Sequence, residues 1–306
     1  MKELEFIEII KKTLSDSSLI GDDTAFWEGL ALTQDTLIED VHFRLKTISA
    51  FELGQKSITV NLSDLAASGA APQCILISLS LPKYVNADFV KSFYEGVNHV
   101  CTQFDTKVAG GDITGGDRIA ITVTAIGKAQ KQIKRNSAKI GDVVFVTGEH
   151  GNSRAGLEIM EKNGPRIEKF LKAHKTPTPR IKEGLTISET CENPAVMDTS
   201  DGLADALYKI SLASNVSIEV DFDKVPQDAR IQNKYWILFG GEDYELLCCA
   251  RPSDFEKLKS QIDVYPIGKV VAKTNIPVTI QKDSKALKLD KQTFENLSFD
   301  HFGGEK

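Results

Sequence analysis

Residues 74–81 read CILISLSL, a short apolar run between Pro72 and Pro82, which predicts a strand buried on both faces. On its C-terminal side Asn86 is placed to cap a helix whose apolar positions Phe89, Val90, Phe93, Val97 and Val100 keep helical spacing. Residues 107–111 and 118–127 then read as strands, the second rich in β-branched side chains. A basic, polar stretch at 128–139, with Lys131, Lys134 and Arg135, separates this block from a new strand at 142–148, DVVFVTG. Beyond it a helix is expected around 152–162, a Pro-interrupted loop at 176–180, a helix after Ser200, and strands near 216–221 and 244–250. Mixed α and β elements in both halves predict two domains of α/β and α+β class, 1–137 and 138–306.

The length of 306 residues suits two domains at roughly 100 to 200 residues each. Hydrophobic residues at 41% and charged residues at 26% are the balance of a soluble globular protein. Asp and Glu outnumber Lys and Arg by 43 to 37, which argues against a nucleic-acid or membrane-surface binder. No apolar run approaches the ~20 residues that cross a bilayer, and acids interrupt the N-terminal MKELEFIEIIKK, so no secretory leader is expected. Cys74, Cys101, Cys191, Cys248 and Cys249 form no CxxC pair and read as reduced, buried thiols of a cytoplasmic protein.

The informative feature is where the acids lie. GDDTA (21–25), TQDTLIEDVHF (33–43), NLSDLAASGAAP (61–72), AGGDIT (109–114), MDTSDGL (197–203) and GGEDYEL (240–246) each set an Asp or Glu among glycines, small residues or apolar residues. Taken singly, each is explained by turn and cap chemistry. In 197–203, for example, Ser200 is a good N-cap and Asp201 complements the dipole of the following helix. Six together are harder to explain so, because carboxylates gathered by a fold repel unless cations neutralise them. Oxygen-only donors without a Cys or His cluster suit a hard cation such as Mg²⁺, and Mg²⁺ most often serves phosphate chemistry. GxxxxGK[ST], a strand-coupled GxGxxG, HExxH and GxSxG are all missing from the sequence. His42 stands two residues after Asp40, and Arg135 reads either as a linker charge or as a fork for phosphate.

In their order and intervals these segments resemble the thiamine-monophosphate kinase family of the PurM-like superfamily, from about Gly21 to SFDHF at 298–302. The resemblance implies a two-domain PurM-like fold with a dimerising N-terminal sheet and an active site in the interdomain cleft. It implies ATP-dependent phosphorylation of thiamine monophosphate to thiamine diphosphate, the last step of that cofactor's biosynthesis, assisted by several Mg²⁺ ions in a cytoplasmic homodimer. Carried over by motif, metal positions fall on Asp23, Thr33, Gln34, Asp35, Asp64, Asp112, Asp198 and Asp201. ATP positions fall on Tyr94, Gly111, Asp112, Arg135 and Ser200, and acceptor positions on His42, Glu242 and Phe299. Asp64, Asp112, Asp201 and Arg135 are the expected catalytic group. Gln34 stands where many members carry Thr, Phe299 lacks the hydroxyl or indole of some relatives, and Ser68 replaces a common Met.

Relatives with other chemistry fit less well. Selenophosphate synthetases need a reactive Cys near the N-terminus, whereas the first here is Cys74; hydrogenase-maturation relatives use a C-terminal Cys, whereas this chain ends HFGGEK. Aminoimidazole-ribonucleotide synthetase is the nearest enzyme alternative, and His42 in DVHF with GGEDYEL favours the kinase. A catalytically silent nucleotide-binding regulator would not need all six metal-position aspartates.

Overall fold

The computed structural model describes residues 3–298. Helix α1 (Glu3–Thr13) precedes strands β1 (Ala25–Trp27) and β2 (Leu30–Ile38), helix α2 (Ala50–Ala67), strand β3 (Ala70–Leu81), helix α3 (Ala87–Gln103), and strands β4 (Lys107–Gly115) and β5 (Ala120–Ala129). The strands form a five-stranded sheet ordered β1-β2-β5-β3-β4. Within it β3 and β4 run parallel, joined through α3, and the other pairs are antiparallel. Helix α2 packs on the sheet and α3 packs on α2.

The second half contains β6 (Val143–Val146), α4 (Asn152–Lys162), α5 (Glu168–Lys175), α6 (Ile181–Thr190), β7 (Ala195–Asp198), α7 (Leu203–Ser214) and β8 (Ser217–Asp221). It continues with α8 (Lys234–Phe239), β9 (Leu246–Ala250), α9 (Pro252–Leu258), β10 (Tyr265–Val271), β11 (Val278–Lys282), β12 (Lys285–Leu289) and α10 (Lys291–Leu297). Its seven strands are ordered β12-β11-β8-β10-β6-β9-β7. The alternation of β9 explains why that strand is apolar throughout. Leu246 and Cys248 point into a core shared with the first sheet, whereas Leu247 and Cys249 point into a core of the second half alone.

Strand β3 departs from the expectation of two buried faces. Ile75, Ile77 and Leu79 are buried, but Leu76 on the opposite face is 39% exposed, because α2 covers only one side of the sheet. Strand β4 is exposed along its whole length. Cys74 is correspondingly only half-buried, while the other four free cysteines are buried as expected. The helix after Ser200 starts later than its cap chemistry suggests: its N-cap is Gly202, with no side-chain cap bond, because Ser200 uses its hydroxyl elsewhere.

Helices α2 and α3 touch backbone to backbone. A Cβ at Gly54 would lie 2.0 Å from the Phe93 carbonyl oxygen, and one at Gly96 would lie 2.0 Å from that of Phe51. Neither obstacle is a flexible side chain, so a methyl group there forces the helices apart. Gly54→Ala is therefore expected to destabilise the fold by about 1–3 kcal/mol, read from the midpoint of urea unfolding; an unchanged midpoint would contradict this packing.

Candidate active site

Strand β2 sorts its residues by alternation. Thr33 and Asp35 face inward, and the Thr33 hydroxyl donates to Asp64 Oδ2 at 2.5 Å, while the Asp35 N–H donates to Asn61 Oδ1 at 3.0 Å. Gln34 points to the other face, where its Oε1 accepts from Thr124 Oγ1 at 2.8 Å. Asn61 and Asp64 lie three residues apart on α2, hence on one side of the helix. From the second half, Asp198 ends β7 and accepts from Ser63 Oγ of α2 and from Ser200 Oγ, each at 2.7 Å. Asp23, in the loop before β1, completes the group. Carboxylate oxygens of Asp23, Asp64 and Asp198 all lie within 4.8 Å of one another.

Such crowding has an electrostatic signature. Burial, then the charges of Asp35, Asp198 and Asp23, hold Asp64 well above the ordinary carboxylate range. Asp23 is pushed up to about 7 by burial, with Arg135 opposing and Asp198 and Asp22 adding to the rise. Burial also raises Asp198, against hydrogen bonds from Ser200 and Ser63 that lower it. Arg135 spans the rim, 2.6 Å from Asp23 and 3.3 Å from Asp22. An oxygen-only set whose members resist ionisation without a counter-charge fits a hard divalent cation.

Other expected residues stand around this trio or apart from it. Asp201 turns to Lys209 Nζ at 2.9 Å, a cation also held by Asp205 at 2.7 Å. Glu242 lies beside the 197–203 segment, its N–H donating to the Ser200 carbonyl at 2.7 Å. His42 Nδ1 accepts from the Ile38 N–H at 2.9 Å, which puts the proton of a neutral ring on Nε2. Tyr94 is half-buried on α3 against Phe93, ring centroids 5.4 Å apart. Gly111 and Asp112 sit on the exposed strand β4, outside the trio. A Cβ at Gly111 would lie 1.8 Å from the Ile77 carbonyl oxygen at φ +157°, so glycine is required there. Phe299 lies outside the described residues.

Comparison with known proteins supplies the relationship. Residues 21–129 match the family model for the AIR synthase related protein, N-terminal domain, and residues 139–281 match that for its C-terminal domain. Thiamine-monophosphate kinase of Bacillus subtilis is 35% identical over 97% of this chain and 100% of its own length. The Aquifex aeolicus enzyme of the same name is 38% identical over 88% of this chain and 91% of its own. A solved structure described as AaThiL complexed with AMPPCP and TMP superposes with a TM-score of 0.84 at 34% identity, covering 94% of this chain and 96% of the other. The chain belongs to the thiamine-monophosphate kinase family.

Several residues of the site in this kinase went unmarked in the motifs. Ser63 and Asn61 lie within the NLSDLAA segment and share its helix, so helical spacing from Asp64 was an available signal. Lys209 lies four residues after Asp205 on one helix, which is again a spacing signal, whereas nothing local pairs it with Asp201.

The charge cluster fixes a pH response for metal-free kinase. The folded-state value of Asp23, about 7, lies above its ordinary 3.8. Its stabilising contribution is therefore complete below about pH 4 and is lost as pH rises through about 7. In EDTA the Tm measured by calorimetry is expected to fall across that window, and excess divalent cation should restore it most at the alkaline end. Asp64→Asn, which removes a repelling charge and keeps an acceptor for Thr33, should flatten the metal-free slope. A slope unchanged in Asp64→Asn would contradict the carboxylate origin.

Proposed function

We propose that this kinase transfers the γ-phosphoryl group of ATP directly to the phosphate of thiamine monophosphate, giving thiamine diphosphate and ADP, at the seam between its halves. The observation that carries the reading is the convergence of Asp23 and Asp64 from the first half with Asp198 from the second. We take the domains as 1–137 and 138–306. The acceptor's second ionisation lies near ~6, so its oxygen is largely charged at neutral pH and no strong general base is needed. The obstacle is the approach of two polyanions.

Asp23, Asp64 and Asp198 would hold Mg²⁺, with Thr33, Asp35, Asp112, Asp201 and the backbone of Gln34 as further positions. When bound, Mg²⁺ neutralises charge on the phosphates. The residues of the chain do the rest. Arg135, released from Asp22 and Asp23, forks onto an ATP phosphate; Tyr94, Gly111, Asp112 and Ser200 line the nucleotide. His42 and Glu242 orient the acceptor, and Phe299 stacks on one of its rings. Asp112 and Asp201 join by movement of ligand or chain, because their present surroundings are solvent and Lys209 respectively.

A homodimer through the first sheet agrees with exposed Leu76, Val108 and Ile113. Free cysteines agree with work in the cytoplasm, where the reaction would complete thiamine diphosphate synthesis. No described helix is long and apolar enough to cross a membrane.

In a coupled assay, ADP release is expected only when thiamine monophosphate and Mg²⁺ are both present. Asp64→Asn should lower kcat by about 100-fold or more at fixed Mg²⁺ while circular dichroism stays native. Incubation with γ-labelled ATP alone should leave the protein unlabelled; a trapped phosphoprotein would refute direct transfer.

A further inference from the structure

Lys56 on α2 is 1% exposed, and a lysine is almost never buried that fully without a charge partner. Its Nζ lies 2.8 Å from Glu242 Oε1, so the pair joins the helix of the first half to the GGEDYEL loop of the second. The other carboxylate oxygen, Oε2, lies 3.2 Å from His174 Nδ1 on α5. That ring nitrogen is also 3.1 Å from Ser153 Oγ at the start of α4. Burial and the Lys56 charge lower His174 to about 4, so the ring is neutral at physiological pH, and the tautomer with its proton on Nδ1 is the one that can face this carboxylate as a donor. Beneath the side chain, Glu242 has a left-handed backbone at φ 57°, pinned by its N–H to the Ser200 carbonyl.

Glu242 is thus gripped at both oxygens and at its backbone, yet its side chain keeps 29% of its surface open. Burying a lysine–glutamate pair contributes little net stability compared with an apolar pair of similar volume. The arrangement makes sense if the exposed remainder of the carboxylate must be charged and fixed in direction. We propose that Lys56 and His174 are positioning residues for the acceptor, holding Glu242 so that its free lone pairs meet the thiamine moiety. This rests on the reading of Glu242 as an acceptor-binding residue. Neither Lys56 nor His174 touches the substrate in this scheme: both act through Glu242.

Steady-state kinetics of full-length Lys56→Met, His174→Leu, His174→Asn, Glu242→Gln and the Lys56→Met/Glu242→Gln double variant test it. Lys56→Met and His174→Leu are each expected to raise KM for thiamine monophosphate about 10-fold or more, with KM for ATP moving less than about threefold. His174→Asn, whose amide N–H can reach the same oxygen, should recover most of that loss. The double variant should be no worse than Glu242→Gln alone. If Lys56→Met does not fold, the contrast between His174→Leu and His174→Asn decides. A raised KM in Glu242→Gln with an unchanged KM in His174→Leu, or with KM for both substrates rising together, overturns the positioning role alone. An unchanged KM in Glu242→Gln overturns the acceptor-binding reading and this inference with it.

Discussion

Repulsion among Asp23, Asp64 and Asp198, drawn within 4.8 Å of one another in a largely buried seam, is the constraint around which the rest is arranged. Like charges at that spacing do not gather for the sake of stability. They persist because surrounding elements over-determine each position. Ser63 and Ser200 hold Asp198 from two sides, Thr33 holds Asp64, and Arg135 holds Asp23. The stability lost at the cluster is recovered in the two cores, where β9 contributes one face to each. Arg135 offsets negative charge at the rim, and the raised values of Asp23 and Asp64 mark a centre short of positive charge among the described residues.

Helix α2 does most of the assembling. Its apolar face packs on the first sheet; of its polar residues, Lys56 and Ser63 meet Glu242 and Asp198 across the seam, while Asn61 and Asp64 meet Asp35 and Thr33 of β2. A helix that carries polar groups into a dry interface must match each with a partner, and here each partner belongs to the site. The same helix thus joins the halves and fixes the distances between functional groups. Glu242, in a loop, and Asp198, at the end of β7, are linked through the Ser200 backbone and side chain.

Much of this was legible in the order of residues. Glycines and small side chains around Asp23 and Glu242 marked loops, those beside Asp112 marked a close approach, and β-branched alternation marked β5. Three things were not legible. The outer face of β3 looked like core because Leu76 is as apolar as Ile75, and only the position of α2 decides which face is covered. Ser200 looked like an N-cap because its local pattern allows it, whereas the hydroxyl is claimed by Asp198, two residues back in sequence but fixed in place by another helix. The burial of Lys56 has no local mark in the sequence because the partner that permits it lies 186 positions away, at Glu242. In each case the decisive neighbour is tertiary.

The glycine contact between α2 and α3 bears on how accurately the site is built. Where helices meet through side chains, rotamers can yield and small errors of position accumulate. Where backbone meets backbone at Gly54 and Gly96, no soft layer separates the two. Tyr94 and Asp64, hung on opposite members of that pair, therefore share one rigid frame of reference. Their spacing is set by covalent geometry and van der Waals radii rather than by the chance of side-chain packing. At that contact no side-chain layer stands between α3 and α2 to absorb a displacement of either.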